Sequence, residues 1–219
     1  MRQIKLASPG GLNNLNVVEV DKPIAKAGQV IIKVAASSLN YHDLLVALGQ
    51  IPTEDGRVVL SDCAGEIVAV GEGVSLWSIG DSVMSCCYPN WIEGPPQYQL
   101  LSFIGDNEDG YSTEYIAISE KSITRTPKDW TMAEAATLPC AGLTAWRALV
   151  NDGKLQAGET VLVQGTAGVS IFALQLAMPI VAQLTANSTP DEWKELMWGT
   201  TPLLDHLKAD ILIVGNSNF

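Results

Sequence analysis

The sequence predicts an α/β protein with a β-rich part, followed by a part built on a parallel sheet. Three observations carry this expectation. Before residue 125, short apolar runs rich in β-branched residues alternate with glycine and proline turns. After residue 130 the spacing of apolar residues turns helical. The stretch VLVQGTAGVSIFALQLA, residues 161–177, then leads an apolar strand through a glycine-bearing turn into an apolar helix.

In chain order, QVIIKVAAS (29–37) reads as a strand, and AGEIVAVGEGV (64–74) alternates up to a Gly-Glu-Gly turn. GDSVMSC (80–86) follows at a spacing typical of a compact barrel, and STEYIAISEKSITR (112–125) adds a strand pair. Residues 88–110 are punctuated by proline and glycine and read as a long surface loop, either a functional piece or a bland insertion. Thr131 and Glu134 form a capping box at the head of a helical run over 131–155. ETVLVQG (159–165) is too apolar to alternate and reads as a buried parallel strand. VSIFALQLA (169–177) continues as a helix that Pro179 ends.

Beyond that helix, IVAQLTANST (180–189) reads as a second strand whose end carries Asn187, Ser188 and Thr189. Thr189 before Pro190 starts a helix over 189–197, and ADILIVGNS (209–217) reads as a further buried strand. The domain boundary falls between about 125 and 158 and is set at 127/128, giving domains 1–127 and 128–219.

Bulk properties exclude several functions. A formal net charge of −11 argues against nucleic acid and anionic membrane surfaces as partners. The apolar stretches are interrupted well before 18 residues, so no membrane span is expected, and the N-terminus lacks a signal-peptide core. Cys63, Cys86, Cys87 and Cys140 show no disulfide-framework spacing; the expectation is reduced thiols in a cytoplasmic protein.

The turn itself is Gly165-Thr166-Ala167-Gly168-Val169-Ser170. In a dinucleotide-binding turn the first glycine permits the bend, the second admits the pyrophosphate and the third lets helix and strand pack closely. Free N–H groups at the helix start then face the phosphates. Ala167 and Ser170 stand where the second and third glycines would be, so the turn is degenerate.

SSLNYHDLLVALG, LSDCAGEIVAVGEGVSLWSIGDSV, DGYSTEYIAIS, EAATLPCAGLTAWRAL and GETVLVQGTAGVSIFALQLA occur in that order. Together they resemble the medium-chain dehydrogenase/reductases, in particular zinc-type alcohol dehydrogenase-like and quinone oxidoreductase-like members. The resemblance covers residues 1–177 and implies a GroES-like β-barrel catalytic domain followed by a Rossmann domain. It also implies NAD(P)H in the cleft between them, a small-molecule substrate and a homodimer or tetramer. Thr144, in GLTAW, resembles a threonine that contacts cofactor in related enzymes; it could equally bond its own helix backbone.

Zinc-dependent members take their catalytic metal through positions that here read Asn40, Ser61 and Cys140. One thiolate does not make a site that normally takes three protein ligands, so no zinc is expected. Cys140 then reads as a small buried hydrophobe, or else a reactive thiol. Without metal, hydride transfer needs ordinary proton donors and positioning. His42 falls where metal-dependent relatives carry a relay hydroxyl; the alternative is a solvent-facing residue at a helix start. Tyr41 either donates to a substrate carbonyl or packs, and Asn40 sits where related enzymes face the nicotinamide. Asp43 and Asp62 read as structural, capping or bonding nearby backbone.

A six-stranded nucleotide domain needs on the order of 150 residues, and residues 158–219 number only 62. The expectation is therefore half a nucleotide domain. Ser188 and Thr189, in place of an acidic residue at the second strand's end, lean toward NADP over NAD. Two functions compete: a zinc-independent NAD(P)H-dependent oxidoreductase acting on a carbonyl, quinone or enone, and a shortened, catalytically weak or inactive relative whose barrel binds a partner.

Overall fold

The computed structural model describes residues 1–95, 97, 102–178, 183–187 and 211–214. Two compact units emerge, Met1–Cys140 and Ala141–Phe219. The first contains β1 (Arg2–Leu6), β2 (Leu15–Glu19), β3 (Gln29–Ser38), α1 (Tyr41–Ala47), β4 (Arg57–Val58) and β5 (Asp62–Val70). It continues through β6 (Ser82–Ser85), β7 (Tyr115–Ser119), β8 (Ile123–Arg125) and α2 (Met132–Ala135). The strands make a small sheet in the order β2-β1-β4 and a larger one in the order β7-β3-β5-β6-β8.

Every pairing in these two sheets is antiparallel. β3 is the long central strand, and its register slips against β5 between Ile31 and Ile32 and again between Val34 and Ala36. Such irregularities bend and twist a strand, which curls the larger sheet around its apolar face. Val30 and Ile32 of β3, Cys63 and Ile67 of β5, Val83 of β6 and Ile118 of β7 meet there with Tyr111. Val30 with Ile32, and Cys63 with Ile67, share one face by the period-2 geometry of a strand, while Ala64 on the other face packs with Ala36 and Met84 against Ala135 and Ala136. At Gly65 a Cβ would lie 2.2 Å from the Lys33 carbonyl oxygen, so β3 and β5 require glycine at this crossing.

The structure revises three expectations in this unit. β1 and β2 form an N-terminal pair that the sequence pattern did not mark; each is short, and β2 buries no residue fully. β5 starts at Asp62, ahead of the expected strand, and stops at Val70. The expected surface loop is the larger correction, because Ile104, Asp106 and Gly110 within it are buried. Gly110 N donates to Val58 O at 2.7 Å, Tyr111 N to Leu60 O at 2.8 Å and Ser112 N to Val59 O at 2.9 Å. These bonds draw the end of the loop into the barrel wall. Gly110 makes this approach possible, since a Cβ there would stand 2.4 Å from the carbonyl oxygens of Val59 and Leu60.

The helical run opens on the anticipated cap: Thr131 Oγ1 accepts from Glu134 N at 3.2 Å, and Thr131 N donates to Glu134 Oε2 at 2.8 Å. The run is not one regular helix. A wider π-type turn occupies Leu138–Gly142, where Pro139 contributes no N–H, and another occupies Arg147–Asp152.

The second unit holds α3 (Leu143–Trp146), β9 (Thr160–Gln164), α4 (Gly168–Ala177), β10 (Gln183–Asn187) and β11 (Ile211–Val214). The strands are parallel in the order β10-β9-β11, matching the three strands read from the sequence. Val161 and Val163 of β9, Ala173 and Ala177 of α4, and Ala145 and Leu149 of the preceding helix build its core. α4 ends at Ala177, before Pro179 as expected. The helix expected over 189–197 lies outside the described residues.

Candidate functional site

In the first unit, the positions where zinc-dependent relatives carry metal ligands converge on one carboxylate. Asp62, the first residue of β5, has no exposed surface. Its Oδ2 accepts from Asn40 Nδ2 at 2.9 Å, from Cys140 N at 3.2 Å and from Ser38 Oγ at 3.4 Å. Asn40 Nδ2 also donates to Ser61 Oγ at 3.0 Å. Burial pushes the Asp62 carboxyl up to about 6, against the opposing pull of these donors. Its other oxygen, Oδ1, is buried without a partner among the described residues.

This donor set does not fit a metal ion. Asn40 presents an N–H donor to Ser61 and Asp62, and Cys140 alone supplies a thiol at the three aligned positions. Asn40, expected to face a nicotinamide, is half-buried with its amide nitrogen directed at Asp62. Cys140, expected as a buried hydrophobe, is half-buried instead. A hydrogen bond with Cys140, followed by burial, pushes the Cys87 thiol up.

Asp43 has the structural role read from the sequence: its Oδ2 accepts from Asn40 N at 2.7 Å at the start of α1, and burial raises its carboxyl. Tyr41 and His42 follow on the same first turn, both half-buried. His42 Nε2 lies 3.0 Å from Asp106 Oδ2. The imidazole also stacks against Phe103, with ring centroids 4.2 Å apart and planes tilted by 55°. Neither Asp106 nor Phe103 was singled out from the sequence, because both sit in the stretch read as loop. The run of acidic residues in IGDNEDG, 104–110, was the trace of Asp106, and Phe103 precedes it unmarked.

In the second unit β9 ends at Gln164, and Gly165 takes a φ of +84°, a conformation that favours glycine. Ala167 is extended and caps α4, which starts at Gly168. The first turn of a helix leaves its N–H groups without intrahelical acceptors, so Gly168 and Val169 offer backbone donors there. Thr166 and Gly168 are exposed, and Ala167 and Val169 half-buried. Gly168 also admits a close helix approach, since a Cβ would stand 3.2 Å from that of Ala141. Ser170 is buried, and its hydroxyl donates to Gln164 O at 2.7 Å. It thus holds helix to strand, the packing role of the third glycine.

The strand order reverses at β9: β10 lies on one side and β11 on the other. In open α/β sheets ligands bind outside the carboxyl ends of the strands at such a reversal, which is where the Gly165 turn stands. The turn fits a diphosphate through its backbone, although Ala167 adds a Cβ at the position of closest approach. Thr144 is exposed on α3, and Ser188 lies outside the described residues.

Known proteins agree with this architecture. Residues 26–128 match the alcohol dehydrogenase GroES-like domain family. A zinc-type alcohol dehydrogenase-like protein of Schizosaccharomyces pombe is 37 % identical over 207 residues, covering 91 % of this chain and 60 % of that protein. An acryloyl-coenzyme A reductase of Metallosphaera sedula is 34 % identical over 192 residues, covering 84 % of this chain and 58 % of the reductase. The crystal structure of an NAD-dependent alcohol dehydrogenase superposes with a TM-score of 0.76 at 26 % identity, covering 98 % of this chain and 63 % of that one. The chain thus spans about three-fifths of the length of the relatives it matches. Among the described residues no helix is long and apolar enough to cross a membrane. Residues 26–128 are thus an alcohol dehydrogenase GroES-like domain, and the chain as a whole is similar to zinc-type alcohol dehydrogenase-like and quinone oxidoreductase-like members of the medium-chain dehydrogenase/reductase superfamily.

Proposed function

We propose that this chain is a zinc-independent NAD(P)H-dependent oxidoreductase that reduces a small carbonyl, quinone or enone. The observation that carries the reading is the strand–turn–helix from β9 through Gly165 to α4, set at the reversal of the parallel sheet. Backbone N–H groups of Gly168 and Val169 would hold the diphosphate, with the positive end of the helix dipole behind them. Thr166 and Thr144 are exposed and supply further polar contacts, and Ser188 favours NADP at the ribose. When bound, the nicotinamide supplies the hydride.

The first unit supplies proton and positioning. Reduction leaves negative charge on the substrate oxygen, or on carbon in an enone, and an imidazole in reach is a group that can deliver the proton to it. His42 is the proton donor in this reading. Asn40 and Tyr41 line its approach from the start of α1. The Asp62 network replaces the metal: the amide nitrogen of Asn40 and the backbone of Cys140 are tied to a carboxylate rather than to zinc.

Titration of the full chain with NADPH and NADH, followed by cofactor fluorescence and thermal shift, tests the reading. Micromolar binding, tighter for NADPH and weakened by Thr166→Ala, is the expected result. Millimolar or absent binding of both nucleotides overturns it and leaves a barrel whose role is to bind a partner. One zinc per chain, found by metal analysis and required for activity, overturns the metal-free assignment.

A further inference from the structure

We infer that Asp106 is the positioning residue for His42: it accepts the Nε2 proton and thereby leaves Nδ1 as the nitrogen that delivers a proton to substrate. The inference rests on the reading of His42 as proton donor and names the partner that reading lacks. The contact joins residues 64 positions apart, at 3.0 Å. It is also asymmetric in exposure, with 8 % of the Asp106 side chain accessible against 27 % for His42. A carboxylate removed from water to this degree needs partners, and Asp106 has them on both oxygens. Oδ2 faces the imidazole, and Oδ1 accepts the N–H of Asn107.

The segment carrying Asp106 is itself fixed. Thr53 Oγ1 donates to Asp106 O at 2.5 Å, and Gly105 N donates to Glu108 O at 2.9 Å. Phe103 N–H and carbonyl groups join the same turn, with Asn107 N donating to Phe103 O at 3.2 Å. The Phe103 ring packs against the imidazole at a tilt of 55°, and Tyr88 meets Phe103 edge-on with centroids 5.4 Å apart. His42 is therefore held by a carboxylate at its edge and an aromatic ring packed against it. Asp43, on the adjacent position of α1, interacts electrostatically with His42, and its carboxylate already serves the Asn40 backbone.

A base oriented by a third group is the arrangement that fixes tautomer and direction in proton-transfer sites. In the forward reaction the Nδ1–H bond of the imidazolium breaks. Its proton passes to the substrate atom left with negative charge once hydride has added to a neighbouring carbon: the oxygen of a carbonyl or quinone, forming an O–H bond, or the α-carbon of an enone, forming a C–H bond. His42 is left neutral, with Nε2–H still on Asp106, and solvent returns the proton to Nδ1.

The test uses the full chain with ¹⁵N-labelled histidine. The sequence has two histidines, His42 and His206, so His42→Gln assigns the signals. In alkaline buffer, where imidazole is neutral, the ¹⁵N shifts of His42 should report the Nε2–H form alone. Asp106→Ala should give a mixture of tautomers, while Asp106→Asn, whose amide oxygen still accepts, should restore the single form. With NADPH and crotonyl-coenzyme A or benzoquinone, Asp106→Ala should lower kcat about tenfold with KM changed less than twofold, and Asp106→Asn should recover most of the loss. An Nδ1–H form or a mixture in the parent protein overturns the assignment. So does an Asp106→Ala variant with unchanged kcat where His42→Gln abolishes turnover. The tautomer measurement needs no turnover, so a chain that binds no nucleotide sinks the redox reading while the spectrum still decides the His42–Asp106 pairing.

Discussion

Asn40 donates its side-chain amide to the buried Asp62 carboxylate at 2.9 Å, across the gap from the start of α1 to the start of β5. The same carboxylate oxygen collects the backbone N–H of Cys140, so three distant segments are tied at one atom. A network of this kind is stabilising only while its members are satisfied, and the unpartnered Oδ1 marks where it is not.

The pH dependence of stability follows from Asp62. Its folded carboxyl titrates at about 6, above the ordinary 3.8, so the native state holds the proton more tightly than the unfolded chain. The ionisation penalty is absent below about pH 4, grows as pH rises and is complete above the folded value. Asp62→Asn removes it. Urea denaturation of parent and variant at pH 4 and pH 8 should show the variant gaining by roughly 3 kcal/mol over that interval. A parallel pH profile for the two proteins would contradict this.

Tyr111 is 1 % exposed, and its hydroxyl has no partner among the described residues. Burying a hydroxyl without a hydrogen bond is unfavourable, whereas the ring fills the barrel core. Tyr111→Phe keeps the ring and should stabilise the protein by about 1 kcal/mol in chemical denaturation. A loss of similar size would mean that the hydroxyl has a bonded partner.

Gly65 tests the crossing of β3 and β5. A methyl group at this position meets the Lys33 carbonyl at 2.2 Å and Ile32 Cγ2 at 2.9 Å, and backbone cannot withdraw without breaking the ladder. Gly65→Ala should cost about 2–3 kcal/mol. Gly73→Ala, where no atom lies within 4 Å of the added carbon, is a control that isolates backbone strain from crowding.

Ser170 separates packing from cofactor contact. Removing its hydroxyl leaves the buried Gln164 carbonyl without this donor, so Ser170→Ala should destabilise the chain by about 1 kcal/mol. Nucleotide affinity of the folded variant should change less than threefold. A tenfold or greater loss of NADPH affinity at unchanged melting temperature would show the hydroxyl to be a ligand contact.

Much of this architecture was legible because it is written locally. β3 carries a β-branched run, Thr131 and Glu134 mark a helix start by spacing alone, and Gly165 sits where strand must turn into helix. The N-terminal pair β1 and β2 was not, since each is five residues long and only Leu6 of the two strands is fully buried. The site was legible only in part. His42 could be singled out by residue type, yet Asp106 becomes its partner through bonds that anchor 104–112 to 58–60, and those are tertiary. Asp62 reads in sequence as one more capping acid; its place as a hub depends on where Asn40, Ser38 and Cys140 arrive.

The anchoring of residues 110–112 on 58–60 also governs how this barrel can be re-engineered. A chimera that imports the whole 88–112 stretch from a homologue would tear three rungs from the wall and discard the acid that orients His42. A graft ending upstream of residue 102 would leave both in place. Swaps intended to alter substrate choice therefore have a natural seam, and crossing it should yield insoluble or idle hybrids rather than new specificities.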